Sequence, residues 1–369
     1  MSRKIAFATL FAFFPASVAC SEGAESPAEN LPAHCSQLTP VRLAVAVTDF
    51  GPGQAAFTSL PDALGYWKQE CLDVEVLGFA GGAAAIQALE AGLADVCLSN
   101  TASLIGSVAA GSDVKAYFTH STGNVFIPHV PEDSEIQSVA DFRGKTIGVP
   151  SLHSGAVPMI RAMLDFEGLP AEAVDIVPVG TGESVIPLLQ AGEVDVLVLF
   201  NTAHAQIEHL GVPLRPVSNQ LAYSAGFTQT LQAARAAFEK RRGVLVGVAR
   251  GLAKAMLFSN SNPEAGVRIH WTVFPESRPS GIPEDQALQQ ALLVTSVIQE
   301  STRPVKDIWG LATREQIEAQ IEVQLRSGEI AGRVSVEEVW TDELLDEIND
   351  FDEPAVVEQA RSYTLRNAG

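Results

Sequence analysis

One stretch of the chain occurs twice, 100 residues apart, and this repeat constrains the fold more than any other feature. Residues 86–96 (IQALEAGLADV) align without a gap with residues 186–196 (IPLLQAGEVDV), and both copies are followed by Asn-Thr-Ala. Each copy combines an apolar helix face, a glycine that ends the helix, and a short apolar strand after an aspartate. Ala-Gly-x-x-Asp alone is a common helix-to-strand connection, but two copies in matching context predict two similar β-α-β halves.

The remaining segments extend this unit into an α/β protein with two lobes. In the first lobe, strands are predicted at 41–47, 74–77 and 95–98, and helices at 62–70, 83–91 and 103–110. In the second, strands are predicted at 146–149, 175–179 and 194–200, and helices at 155–166 and 183–191. Segments 114–130 and 216–227 are expected to cross between the lobes. Hinge candidates are residues 120–122 and 219–223.

The N-terminus has the layout of a secretory signal. Arg3 and Lys4 precede an apolar run at 5–14 and the small-residue segment PASVA, so residues 1–19 are interpreted as a signal peptide. Residues 17–20 (SVAC) also resemble a bacterial lipobox with serine in place of leucine, so Cys20 is either lipidated or a free thiol. Residues 20–39 suit a tether, and no later segment reaches the roughly 18 apolar residues of a membrane span.

The charge balance argues against nucleic acid or anionic lipid as a partner. The chain has 44 acidic and 24 basic residues, a formal net charge of −20. Solubility is the simplest role for this excess. Acidic proteins still bind anions locally at helix N-termini, so an anionic ligand is not excluded by net charge.

The spacing of the four cysteines favours one disulfide and no metal site. Cys35 precedes the first strand and Cys71 precedes the second, and these points lie at the same end of the sheet in a β-α-β unit. Cys97 falls in an apolar strand and is expected to be a buried small hydrophobe. No Cys-x-x-Cys or His-x-x-x-His spacing occurs.

Four segments resemble a known family, in that family's order and spacing. They are residues 64–75 (LGYWKQECLDVE), 88–95 (ALEAGLAD), 141–149 (DFRGKTIGV) and 189–195 (LQAGEVD). With them the chain resembles the type II periplasmic solute-binding proteins of ABC importers, in the SsuA-like branch for sulfonates, nitrate and pyrimidine precursors. The resemblance covers residues 41–227 well and fades beyond residue 269.

The resemblance implies a two-lobed clamshell of two parallel-rich sheets joined by two hinge crossings. Residues 40–122 and 219–369 would form the first lobe with C-terminal helices, and residues 123–218 the second. The implied function is capture of a small solute by lobe closure and delivery to ABC permease subunits. The implied protein is a periplasmic or extracytoplasmic monomer, either free or anchored through a lipidated Cys20, with neither cofactor nor enzyme activity.

The family motifs identify the scaffold, so site candidates come from the loops at the carboxyl ends of the strands. The candidate ligand-binding residues are Asp49, Phe50, Gly81, Gly82, Asn100, Thr101, His120, Ser151, His153, Ser154, Gly182, Glu183, Asn201 and Thr202. Gly81-Gly82 and Ser154-Gly155 open helices and would offer backbone N–H groups to an anion. Ordinary N-capping is the alternative role for Ser154 and Thr101.

The chemistry of these loops favours a small organic or heteroaromatic solute. They contain no lysine or arginine, but they contain Asp49, Glu183 and three histidines, with Phe50, Phe79 and Phe200 nearby. A ligand with hydrogen-bond donors or a cationic centre and a flat apolar portion fits that set better than nitrate does. The alternative is a sulfonate or carboxylate held by helix N-termini alone.

Two other function classes, a signalling subunit and an enzyme, are the alternatives to solute transport. A ligand sensor or partner subunit would use the same clamshell to signal through a separate membrane protein. A pyrimidine-precursor synthase would need a cysteine-rich motif, whereas the cysteines here are scattered. A serine hydrolase would need Gly-x-Ser-x-Gly, and residues 151–155 (SLHSG) lack the first glycine.

Three C-terminal segments have recognisable patterns. Residues 231–258 form a long alanine-rich pattern that predicts a helix, with a basic cluster at 240–242. The apolar cluster at 269–274 is expected to cover the first lobe. The acidic segment 334–352, with Trp340, Leu344 and Leu345, predicts a docked helix.

Overall fold

The computed structural model describes residues 31–123, 126–152, 154–180, 184–217 and 229–363. Of the sequence-based candidates, Cys20, His153, Gly182, Glu183 and the hinge segment 219–223 lie outside these ranges. The strands are β1 (Thr39–Val45), β2 (Leu72–Gly78), β3 (Val96–Asn100), β4 (Val114–Ser121), β5 (His129–Pro131), β6 (Thr146–Val149), β7 (Asp175–Pro178), β8 (Val196–Leu197), β9 (Leu214–Pro216) and β10 (Gln229–Ala234).

Helices flank both sheets and dominate the C-terminal third. The first nine are α1 (Leu60–Ala63), α2 (Tyr66–Gln69), α3 (Gly82–Glu90), α4 (Thr101–Ala109), α5 (Ala156–Phe166), α6 (Val185–Gln190), α7 (Asn201–His209), α8 (Arg235–Lys240) and α9 (Arg242–Ser261). They are followed by α10 (Pro263–Val273), α11 (Glu284–Ser301), α12 (Arg314–Arg326), α13 (Val336–Val339), α14 (Leu345–Ile348) and α15 (Glu353–Ser362). No helix in the described ranges is long and apolar enough to span a bilayer.

The two sheets share one plan, which confirms the predicted α/β class with two lobes. The strand orders are β2-β1-β3-β10-β4 and β7-β6-β8-β5-β9. In each sheet three parallel strands are followed by an antiparallel strand and then by a fifth strand parallel to the first three. Strands β1, β2 and β3 therefore correspond to β6, β7 and β8, as the sequence repeat predicts.

The repeated aspartate has the same structural role in both lobes. The carboxylate of Asp95 accepts a hydrogen bond from the backbone N–H of Arg42 at 2.8 Å, and that of Asp195 accepts one from Thr146 N–H, also at 2.8 Å. The glycine before each aspartate, Gly92 or Gly192, has a φ of +70° and ends the helix. The motif therefore fixes the register of β3 on β1 and of β8 on β6. It lies at the sheet end opposite the carboxyl ends of these parallel strands.

Three segments that were predicted to be crossings or helix also contain strand residues. Segment 114–130 contributes β4 to the first sheet and the start of β5 to the second, and segment 216–227 begins at the end of β9. The alanine-rich helix predicted over 231–258 is wrong at its start. There Gln229–Ala234 fills the gap between β3 and β4, because ladder hydrogen bonds to two neighbours outweigh the helical propensity of alanine.

Other boundaries differ from prediction for local reasons. The helix predicted at 62–70 is split into α1 and α2 by Gly65, which has a φ of +71°. The acidic segment 334–352 forms two short helices separated by Trp340, which makes an isolated parallel bridge to Ala116 in β4. Trp67 is buried, and its Nε1–H donates to the carbonyl of Val248 at 3.2 Å.

The C-terminal helices α11 and α12 contact elements of both lobes. Ile317 and Ile321 of α12 belong to the apolar core around the first sheet, whereas Val323 packs into the core of the second. Helix α11 packs on the 3-10 turn Pro52–Phe57 of the first lobe and on α7 of the second. The lobes are thus joined by packed helices as well as by the two chain crossings.

The predicted disulfide between Cys35 and Cys71 is present, with a Cα–Cα distance of 5.5 Å. It lies where β1 and β2 begin, and the N–H of Thr39 donates to the carbonyl of Cys71 beside it at 2.8 Å. Cys97 is a buried free cysteine, as predicted. The disulfide therefore closes the first β-α-β unit at the sheet end opposite the carboxyl edge.

Loss of this disulfide should lower the free energy of unfolding by about 3 to 4 kcal/mol. The reason is that the disulfide closes a loop between residues 36 positions apart, and without it the unfolded chain gains conformational entropy. Urea denaturation of a Cys35→Ser/Cys71→Ser variant measures this difference. Dithiothreitol should reproduce the loss in the wild-type protein and leave the double variant unchanged. Equal unfolding midpoints for the oxidised wild type and the double variant would contradict the prediction.

Candidate functional site

The topology gathers the described candidate residues at one edge of each sheet. In the first sheet the carboxyl ends of β1, β2, β3 and β4 and the start of β10 lie at the same edge, here called the first edge. In the second sheet the corresponding second edge has the ends of β6, β7, β8 and β9 and the start of β5. The chain crosses from β4 to β5 and from β9 to β10, so both crossings join these two edges.

The N-termini of two helices meet at the first edge. Gly82 opens α3 so close to α4 that a Cβ there would lie 2.3 Å from Nδ2 of Asn100. Asn100 is the N-cap of α4, and its Oδ1 accepts from the N–H of Ser103 at 2.8 Å. Thr101 does not serve as the cap, which corrects the N-capping alternative. Its buried Oγ1 has no hydrogen-bond partner among the described residues.

His120 lies at the end of β4, where the pairing with β10 is irregular. The side chain is 2% exposed, its ring lies 5.0 Å from that of Phe57, and neither nitrogen has a hydrogen-bond partner at normal geometry in the described ranges. Burial lowers the pKa of His120 to about 4, and the nearby Gln229 side chain opposes this shift. The imidazole is therefore neutral at physiological pH, with one donor and one acceptor unused.

The loop after β1 carries Asp49 and Phe50. Asp49 is exposed, and the Phe50 ring packs against Phe274 with centroids 5.2 Å apart. At the first crossing, Thr122 N–H donates to the carbonyl of Ser301 at 2.7 Å, so α11 ends against the hinge candidate 120–122. The first edge is thus bordered by C-terminal helices that the sequence patterns did not assign to it.

The second edge presents an apolar surface. Phe126 and Phe200 pack with ring centroids 5.1 Å apart, and Gly155 lies beneath Phe126, since a Cβ there would be 2.9 Å from its ring. Phe200 is 40% exposed and Leu152 is 54% exposed, both large values for apolar side chains. Phe126 gave no sequence signal, because it lies in a segment between strands with no motif around it.

The polar candidates of the second edge make local bonds. Ser151 is exposed, and its carbonyl accepts the Oγ–H of Ser154 at 2.8 Å, so Ser154 caps a turn and the N-cap of α5 is Gly155. Asn201 begins α7, and its Oδ1 accepts from Thr202 N–H at 2.9 Å. Thr202 is half-buried beside it.

A stacked histidine pair supports the start of α7. The rings of His129 and His204 lie 3.9 Å apart, and His204 Nε2 accepts from the N–H of Leu199 at 3.4 Å. Burial lowers the pKa of both rings, and His129 lowers that of His204 further. His129 was missed in the sequence because its role depends on strand pairing between β5 and β8.

Neither a metal site nor thiol chemistry is favoured by the described residues. The only cluster of metal-ligand types in the described ranges is His34 with Cys35 and Cys71, whose sulfurs form the disulfide. Burial raises the pKa of Cys97 to about 12, with a smaller opposing effect of a hydrogen bond from Ser99. Cys97 is therefore a thiol and not a nucleophilic thiolate.

Sequence comparison identifies the family to which this scaffold belongs. The family model described as NMT1/THI5 like matches residues 56–265, which is more than half of the chain and includes the first edge from Phe57 onward. The chain belongs to the NMT1/THI5-like family. No curated protein sequence matches it significantly. The loop after β1 and helices α11 and α12 lie outside the matched range of this NMT1/THI5-like chain.

Solved structures confirm that the NMT1/THI5-like chain has the fold of SsuA sulfonate-binding proteins. The periplasmic aliphatic sulphonate-binding protein SsuA from Escherichia coli is 18% identical, with a TM-score of 0.59 over 83% of this chain and 98% of that one. The alkanesulfonate-binding SsuA from Xanthomonas axonopodis pv. citri, bound to MOPS, is 18% identical, with a TM-score of 0.56 over 83% and 99%. At these identities the likeness establishes the fold alone.

The fold is also shared by a protein in complex with an aromatic sulfinic acid. A DszB mutant in complex with biphenyl-2-sulfinic acid is 14% identical, with a TM-score of 0.51 over 83% of this chain and 98% of that one. The NMT1/THI5-like scaffold therefore does not fix the function, which has to be argued from the two edges.

Because burial lowers the pKa values of several histidines, we expect the free energy of unfolding to decrease in mild acid. A histidine whose pKa is lower in the folded state stabilises the fold fully above its unfolded pKa, near 6.5, and loses this effect as the pH falls to the folded pKa. For His120 the window runs from 6.5 to about 4, and the shift corresponds to roughly 3 kcal/mol. The unfolding free energy should therefore fall between pH 7 and pH 4.

Urea denaturation at several pH values measures this slope. His120→Gln should flatten it, because the substituted side chain does not titrate. His209→Gln, at an exposed histidine at the end of α7, is the control for the histidine-to-glutamine change itself. A His120→Gln slope as steep as the wild-type slope would contradict the assignment.

Proposed function

We propose that the protein is the extracytoplasmic solute-binding component of an ABC importer, and that it captures a small organic solute between the first and second edges. The observation that carries the proposal is that two like sheets have their carboxyl ends joined by both chain crossings, with loops and helix N-termini at those ends. Membership in the NMT1/THI5-like family and the SsuA fold support the same function.

The chemistry of the edges favours a solute with a flat apolar part and neutral hydrogen-bonding groups. Phe200, Leu152 and Phe126 supply apolar surface on the second edge. Thr101 and His120 carry unused polar atoms near the first edge, and a buried polar group without a partner is costly. A solute that supplies the missing partners would gain affinity and specificity from them.

A sulfonate or carboxylate is the second candidate class, and a specific observation favours it. The N-termini of α3 and α4 adjoin at Gly82 and Asn100, and helix N-termini attract anions through their free N–H groups. The edge segments contain no lysine or arginine, so an anion would depend on these backbone groups. An aryl or heteroaryl sulfonate would use both edges.

We further propose that solute capture proceeds by lobe closure and that the closed form is delivered to a permease. Residues 40–122 and 219–369 would move as one lobe and 123–218 as the other. Because α12 packs into both cores, closure would pivot on this helix as well as on the crossings. We propose a monomer exported by residues 1–19, with Cys20 as the residue that would carry a lipid anchor. Signalling to a membrane partner is the rival outcome of the same closure.

Thermal unfolding with a panel of compounds tests the proposal. The panel contains alkanesulfonates, benzenesulfonate, nitrate, bicarbonate, cytosine, aliphatic amines and benzoate. A solute at about 100 times its dissociation constant should stabilise the folded protein by roughly 2.7 kcal/mol, which raises the melting temperature by several degrees. No shift for any compound, with a folded protein free of co-purified ligand, would contradict solute capture.

Phe200→Ala should weaken binding of the stabilising compound at least tenfold, because the ring would be buried against the solute. The matched control is Phe166→Ala, since Phe166 is also an exposed phenylalanine of the second lobe, 45% exposed, but lies at the far end of α5. Isothermal titration calorimetry measures both affinities. Equal losses in the two variants, or none in Phe200→Ala, would place the solute elsewhere.

A further inference from the structure

His270 connects a C-terminal helix to the loop after β1. It lies in α10, beyond residue 265 where the family match ends, and its side chain is fully buried. Its Nε2 lies 2.9 Å from the carbonyl oxygen of Phe50, and its Nδ1 lies 2.8 Å from Oγ of Ser59. Both ring nitrogens of one buried side chain therefore bond to segments that follow β1.

The hydrogen-bond partners assign the tautomer. A carbonyl oxygen can only accept, so Nε2 carries the proton and donates to Phe50. Burial lowers the pKa of His270, and the ring is therefore neutral, with the lone pair of Nδ1 accepting from the Ser59 hydroxyl. The ring thus donates one hydrogen bond and accepts another, and both of its buried nitrogens are paired.

The same helix end also holds the side chain of Phe50. Phe274, one turn after His270, lies 5.2 Å from both rings. From beneath, the end of β2 approaches the loop so closely that a Cβ on Gly78 would lie 2.7 Å from the carbonyl oxygen of Val47. The loop is thus fixed from both sides, and its exposed residues Thr48 and Asp49 lie between these contacts.

We infer that His270 is a positioning residue of the solute site, which sets the conformation of residues 48–51 at the first edge without contacting the solute. This role rests on the proposed function, because Asp49 and Phe50 are its candidate solute contacts. The hydrogen bond to the Phe50 carbonyl is the decisive contact, since it fixes the backbone of the loop. The bond to Ser59 satisfies the second ring nitrogen and does not contact the loop.

Three substitutions of His270 separate the two hydrogen bonds. His270→Gln places an amide N–H near the position of Nε2 and can keep the bond to Phe50. His270→Asn places an amide near the position of Nδ1, keeps contact with Ser59 and loses Phe50. His270→Phe preserves ring packing against Phe274 and loses both bonds. Ser59→Ala is the matched control, because it removes only the bond to Ser59.

Affinity for the panel compound that most stabilises the wild-type protein is measured by calorimetry. In parallel, amide hydrogen exchange is followed for residues 46–51. His270→Phe and His270→Asn should weaken binding about tenfold and accelerate exchange in the loop. His270→Gln and Ser59→Ala should bind within about threefold of the wild type. If His270 had a merely structural role, the affinity of each variant would follow its melting temperature. The affinities of His270→Gln and His270→Asn would then not differ in the expected way.

Wild-type affinity in folded His270→Phe and His270→Asn variants would overturn the inference. Rapid loop exchange in the wild type would also overturn it, because the loop would then not be held. Failure of the wild type to bind any panel compound would instead overturn the proposed function, and with it the role in solute binding. The exchange data separate the two failures. If no compound binds but exchange in residues 46–51 is faster in His270→Phe than in the wild type, His270 still anchors the loop and only the proposed function is overturned.

Discussion

Each sheet depends on one antiparallel strand that enters from the other lobe. Strand β5 follows the first crossing and pairs between β8 and β9, and β10 follows the second crossing and pairs between β3 and β4. An antiparallel strand in this position starts at the edge where its parallel neighbours end. Both crossings therefore join the carboxyl ends of one sheet to those of the other. Strand pairing for this reason places loops and helix N-termini of both lobes at the sheet ends that the crossings connect.

The duplicated aspartate stabilises this arrangement from the opposite ends of the sheets. Asp95 and Asp195 each accept from a backbone N–H of the neighbouring first strand, Arg42 in β1 and Thr146 in β6, so each lobe has the same register. The surroundings differ between the copies. Asp95 also pairs with Arg241 at 2.5 Å, and its pKa is lowered despite the opposing effect of burial, whereas Asp195 pairs with Lys145 at 3.5 Å. The first lobe thus ties its repeat to the C-terminal helices.

Neutral buried groups give the region around the edges its electrostatic character. His120, His129, His204 and His270 all have pKa values lowered by burial, so these rings serve as hydrogen-bond partners and not as positive charges at neutral pH. The chain as a whole is acidic, and the edge segments contain no lysine or arginine. A surface of this kind offers shape, apolar contact and directional hydrogen bonds, and the proposal of an organic solute over a small inorganic anion rests on these properties.

The sequence by itself determined the features with local causes. The repeat predicted two β-α-β halves, Gly81-Gly82 predicted a helix start, and Cys35 with Cys71 predicted the disulfide, because each depends on neighbouring residues or on one β-α-β unit. Only the tertiary structure decided that Gln229–Ala234 is a strand, that Phe126 covers Gly155, and that His270 reaches Phe50. These contacts join residues far apart in the chain, and their partners determine them more than local propensity does.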